Sequence, residues 1–264
     1  MKKLYVLFVF IGMCIITNSC AQRNQELHES SPVPVALSVT TQGFSLPPGI
    51  DLFQYSASAS GSFNMYEFPS ARIWGWSTTG KIAYSVERKV DGRGGRIINF
   101  IINDLITDNI DFELRIDSFN LDGYNDNYSF EDLFYIYSPA ILDALRSYNI
   151  VQEQKNDFLS FPLRKNNITF NSQIIDLGYV NDEFGMFEEA VSRYSVLVTA
   201  DNRKKVIASL IPVSSVTGYI YICGYFLSPF EDRIMVVTAE EAFGYEGTMP
   251  NFRFHGFHLG VGFN

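Results

Sequence analysis

Cysteine, histidine and familiar catalytic motifs are scarce in this chain of 264 residues. Cys14 lies in the N-terminal apolar run and Cys20 at its end. That leaves Cys223 alone, so no internal disulfide can form once the N-terminal segment is removed. Cys223 sits in the apolar stretch Tyr219–Leu227, where burial makes a thiol inert rather than nucleophilic. His28 lies in a polar stretch. His255 and His258 are three apart in an alternating segment, which puts them on opposite faces and unfits them as joint metal ligands. No Gly-x-Ser-x-Gly elbow, phosphate loop, His-Glu-x-x-His or CxxC occurs. No metal and no cofactor is expected. Positive charge is also short: 20 Lys and Arg stand against 29 Asp and Glu. An acidic chain without a basic run is repelled by polyanions, so no nucleic-acid partner is expected.

The N-terminus reads as a targeting segment. Lys2 and Lys3 precede the apolar run Leu4–Ile16, which is too short for a stable membrane span. The run ends in Thr17-Asn18-Ser19-Cys20. This resembles a bacterial lipoprotein signal, with Thr17 where Leu is usual, and implies lipidation (palmitate) at Cys20. The alternative is ordinary secretory cleavage after Ala21. Residues 1–19 are then the signal peptide and 20–35 a tether, polar and then Pro-punctuated. Loss of Lys2 and Lys3 moves the net charge from −9 to −11.

From residue 36 to 264 the chain reads as one mainly-β, antiparallel domain. Between Ile73 and Leu105, Lys81–Glu87 alternates strictly, a Gly-rich loop (Asp91–Gly95) follows, and Ile97–Leu105 is nearly all apolar. The loop could cradle an anion with its amides, but a hairpin connection suffices. Residues 117–129 are a turn-rich loop that fails the helix–loop–helix calcium pattern. A helical insertion is expected near 130–151, capped by Ser129, with Pro139 either kinking it or starting a second helix. Residues 152–167 read as a polar excursion. Strands are expected again at 168–177, 193–200, 203–212, 217–227, 233–240 and 251–263. The last alternates through its Phe residues with a phase change at Gly256. An outer-membrane barrel can end on such a strand, but the helix, the linker and the signal argue against one.

Two units look alike. Gly75-Trp76-Ser77 before Lys81–Glu87 parallels Gly224–Ser228 before Arg233–Glu240, and Glu87 to Gly94 has the spacing of Glu240 to Gly247. Anchoring on the isoleucines shifts the alignment by one, which would reverse the buried face unless one copy holds a bulge. The first unit, from its Trp-Ser start through Lys81-Ile82-Ala83-Tyr84 to Asn103-Asp104-Leu105-Ile106-Thr107, resembles a blade of the TolB-type β-propeller. With Leu142–Ile150 and the turn Gly244-Tyr245-Glu246-Gly247, the larger pattern resembles a family of predicted secreted bacterial proteins without an assigned activity. The resemblance implies β-propeller-like blades and transfers no catalytic residue.

The candidate binding or structural residues are therefore Glu87, Asp91, Gly94, Glu240, Glu246 and Gly247. Each Glu is expected to end a strand and accept hydrogen bonds from the amides of the loop behind it. The function expected is non-catalytic: a cell-envelope lipoprotein, held to the membrane through Cys20, binding an envelope protein or a glycan. The alternative is an envelope hydrolase with paired carboxylates.

Overall fold

A computed structural model describes residues 45–52, 70–89, 95–122, 128–152, 156–181, 189–244 and 247–264. All belong to one compact unit. Cys20, Asp91, Gly94, Glu246, the signal segment and the tether lie outside the described residues.

The fold is mainly β and antiparallel throughout, with three short helices. Sheet A is a meander in chain order: β1 (Ile50–Asp51), β2 (Ser70–Trp76), β3 (Lys81–Lys89), β4 (Arg96–Asp104) and β5 (Asn109–Asp117). Helices α1 (Phe119–Asp122), α2 (Phe130–Ile136) and α3 (Ser138–Ser147) follow. Sheet B holds β7 (Leu163–Lys165), β8 (Ile168–Val180), β9 (Ala190–Ala200), β10 (Arg203–Leu227), β11 (Arg233–Gly244) and β12 (Gly247–His258), with β6 (Phe158–Leu159) paired to β10. The polar excursion at 152–167 thus contains two short strands.

Three cores stack these layers. Ile73, Trp76, Ile82 and Tyr84 of sheet A meet Cys223, Phe226, Met235 and Val237 of sheet B. The opposite face of sheet A, through Trp74, Ile98 and Phe100, packs on Leu133 and Phe134 of α2 and Ile141 and Leu145 of α3. The opposite face of sheet B forms a third core from Val198, Tyr225, Ile234, Val236 and Phe257. Alternation in β11 makes this possible: odd positions 235, 237 and 239 face sheet A, and even positions 234 and 236 face away.

β10 is one long strand that changes partner. Its first half pairs with β9 and its second with β11, with register shifts around Ala208, Pro212 and Gly224. Each shift adds local twist, and sheet B curls. Backbone bonds between Lys204 and Asn264 hold the C-terminus against the start of β10.

The helical stretch is two helices. The Ser129 hydroxyl and the Asp132 carboxylate form a reciprocal capping box for α2. Pro139 falls in the first turn of α3, where its missing N–H costs nothing. The phase change at Gly256 involves no bulge, because β12 keeps its register with β11 throughout. Phe252 and Phe254 point at the inter-sheet core, while the other face turns from Asn251, Arg253 and His255 to the apolar Phe257, followed by Leu259. Gly256 continues the first face where Leu105 crosses, and a Cβ there would meet the Leu105 backbone at 2.7 Å.

Candidate functional site

Glu87 and Glu240 lie on opposite sides of the inter-sheet core. Glu87, 5% exposed, points to the helix side of β3. It accepts from the Ser70 hydroxyl on β2 and pairs with the Arg72 guanidinium, Nε to Oε2, at 3.5 Å. Burial pushes its carboxyl above the ordinary range, opposed by the Arg72 charge. Arg72 also donates to the Pro47 carbonyl and to Glu131 of α2, so this cluster ties sheet A to the helices.

Glu240, fully buried, points to the face of sheet B that is turned away from sheet A. It accepts from Arg253 Nε at 2.8 Å, Asn251 Nδ2 at 2.8 Å and the Tyr194 hydroxyl at 3.4 Å. Thr238 joins the Tyr194 hydroxyl to His255 Nε2, each at 3.1 Å. Burial, with Arg253 nearby, lowers the His255 imidazole to about 4, so it is neutral at physiological pH. Burial raises the Tyr194 phenol to about 12.

Neither glutamate ends its strand. β3 runs on to Lys89 and β11 to Gly244, and the partners just given are side chains on other strands of the same sheet. The loop amides at 90–94 lie outside the described residues. Gly247 opens β12 opposite Gly244. The two carboxylates are not brought together, and the spacing that suggested them as a pair reflects two similar strand–loop units. Both units carry a bulge at their glycine, Gly75 and Gly224. Counted from the residue opposite that glycine, Glu87 is four places on from Ala83 and Glu240 three on from Val237, so the one-residue offset is physical.

A cleft of about 710 Å³ lies elsewhere, along the outer edge of β12. Sheet A supplies one wall through Tyr84, Asn99, Ile101, Asn103 and Asp108, and Ser209 of β10 with residues 250–255 of β12 supply the other. Asn99, Ile101 and Asn103 share a face of β4, so the wall reads amide, alkyl, amide. The Oδ1 atoms of both asparagines are buried and make no hydrogen bond, and Asn103 is only 4% exposed. Asp108 accepts the Gly256 amide at 3.1 Å, and burial raises its carboxyl. Arg253, at the rim, is already committed to Glu240 and to the Pro212 carbonyl.

Sequence reasoning passed over this site because Ile97–Leu105 looked like an apolar run. The signal was present: two asparagines four apart fall on one face of a strand that otherwise buries alkyl groups. Among the described residues no His, Cys, Asp and Glu cluster could hold a metal. No protein family, curated protein or solved structure matches the chain.

Proposed function

We propose that the chain is a non-catalytic binding protein of the bacterial cell envelope, anchored through lipid on Cys20 and engaging its partner in the cleft beside β12. The observation that carries the binding reading is the cleft of about 710 Å³ beside the β12 edge, walled by amide, alkyl and aromatic side chains. Asp108 is the one carboxylate lining the cleft among the described residues, and paired-carboxylate hydrolysis needs two. The anchor rests on the sequence Thr17–Cys20. The four-stranded meander β2–β5 supports reading the first unit as blade-like.

Two measurements test this. Cys20→Ala should release the chain from the membrane fraction, and unchanged retention would refute the anchor. A photo-crosslinking residue at Ile110, exposed on the cleft rim, should give discrete adducts in cells. The same residue at Tyr179, exposed on β8 away from the cleft, should not. Equal adduct patterns from both positions would refute the cleft.

A further inference from the structure

The cleft runs along the edge of β12 and so takes side chains from both faces of that strand. Phe252 and Phe254 line the lobe toward sheet A, with Tyr84, Val86 and Ile101. Arg253 and His255 are two apart and therefore share the other face of β12. They line the second lobe, with Ile207 and Ile211 of β10. One lobe is apolar and aromatic, and the other carries two polar groups.

Each of those groups has an atom to spare. His255 is only 5% exposed, yet its ring borders the cleft. Thr238 takes up Nε2. Nδ1 has no hydrogen-bond partner among the described residues and keeps accessible surface, unlike the sealed Oδ1 atoms of Asn99 and Asn103. Arg253 spends Nε on Glu240 and Nη2 on the Pro212 carbonyl. That leaves Nη1 without a partner among the described residues, on a side chain 32% exposed.

The buried network behind them fixes what each offers. Glu240 accepts the proton of the Tyr194 hydroxyl. A phenol has only one, so the Tyr194 oxygen accepts from Thr238. Thr238 has then spent its own proton and accepts from His255 Nε2. The imidazole is neutral at physiological pH, so Nδ1 is left with a lone pair. Arg253 Nη1 is a donor whose charge Glu240 already meets, and Asp108 is the only other charged residue on the lining. An anion would face Asp108 and a lone pair, and a cation would face Arg253. The cleft therefore suits a ligand that is neutral, accepts at one point, donates at another and has an apolar face.

We propose that the cleft binds a neutral glycan, with hydroxyls on one edge of a sugar ring accepting from Arg253 Nη1 and donating to His255 Nδ1, and a C–H face of the ring against Phe252 and Phe254. This rests on the binding reading above and names its ligand. A hydroxyl both accepts and donates, and a pyranose sets several on one rigid edge. The cleft volume of about 710 Å³ is in the range of small-ligand sites.

The probe is an array of neutral oligosaccharides, with sulfated and sialylated glycans and end-capped peptides spotted beside them, read with the full-length chain in detergent. The expected result is retention of neutral glycans alone. Monodeoxy analogues of the best-held glycan should lose about tenfold in affinity at two hydroxyls and little elsewhere, as for one hydrogen bond each. The nitrogen NMR signal of His255 Nδ1 should lie in the unprotonated range in the free chain and move upfield when that glycan binds. His255→Gln, with its melt showing that it folds, should bind about tenfold more weakly, and Tyr179→Ala should bind as wild type does. Retention of peptides or anionic glycans instead, or of no neutral glycan, would overturn the proposal. So would a protonated Nδ1 in the free chain, a flat deoxy series, or unchanged glycan binding by folded His255→Gln. All of these leave the binding reading standing while the Ile110 crosslinks persist. Loss of those crosslinks would remove that reading itself.

Discussion

His255 is 5% exposed and titrates at about 4, against about 6.5 in an unfolded chain. Thr238 bonds its ring, Arg253 stands nearby, and no carboxylate contacts it directly in the hydrogen-bond network. Between those pH values the unfolded state binds the proton and the folded state does not. Stability therefore falls as pH drops from about 6.5 to about 4, by about 3 kcal/mol from this group. Glu87 and Asp108, whose carboxyls are raised by burial, contribute the opposite slope above the ordinary carboxylate range. The difference between wild type and His255→Gln in urea melts across pH 4–7 isolates the histidine. If the difference is flat with pH, the imidazole is not buried as described. Glu240 offers a second test at this scale. Removing its charge strands Arg253 and leaves Asn251 and Tyr194 with a poorer acceptor, so Glu240→Gln should cost about 2–4 kcal/mol. Glu87→Gln should cost less, about 1 kcal/mol, because burial already disfavours its charged form and the Ser70 hydroxyl still has an acceptor. Glu113 is exposed on β5 and serves as the neutral control. Equal melts for Glu240→Gln and Glu113→Gln would contradict the network.

At the scale of elements, the two glycine bulges argue that the units are built alike. Gly75 and Gly224 have φ of +148° and +157°, and a Cβ at either would strike a backbone carbonyl, of Val151 and Leu159 respectively. In each case the glycine admits a crossing segment that then pairs next door: Trp76 bridges Val151, and Tyr225 pairs with Leu159. Gly75→Ala and Gly224→Ala should each cost about 3 kcal/mol or more, since strain and carbonyl collision add. Alanine variants melting within a degree of wild type would show that the crossings can move aside. These elements also show what the sequence could disclose. Period-two alternation marks β3 because its two faces differ, whereas β11, apolar on both faces, is marked by its likeness to the first unit. The capping box and Pro139 marked the helices because their chemistry is local. β6 and β7 were not visible, since two- and three-residue strands owe their pairing to long-range neighbours. The cleft was hidden for a related reason. Nothing local in β4 says that its Asn face lies beyond the edge of another sheet.

For the whole molecule, the decisive contact is the core shared by the two sheets, and Cys223 lies in it. Burial raises its thiol to about 12, so both access and ionisation suppress its chemistry in the folded state. In a chain that lacks residues 1–19 and carries Cys20→Ser, Cys223 is the only thiol. Its reaction with an aromatic disulfide then reports how often the sheets part. Met235, Val237 and Phe226 of sheet B and Ile82 and Tyr84 of sheet A belong to the same buried cluster. The labelling rate should therefore rise with urea along a slope equal to the equilibrium m-value, because the opening that admits the reagent exposes the same surface as global unfolding. A slope that is clear but well below the equilibrium m-value would mean that sheet B moves off sheet A as a unit while both stay folded, and the molecule would then be two cooperative halves rather than one.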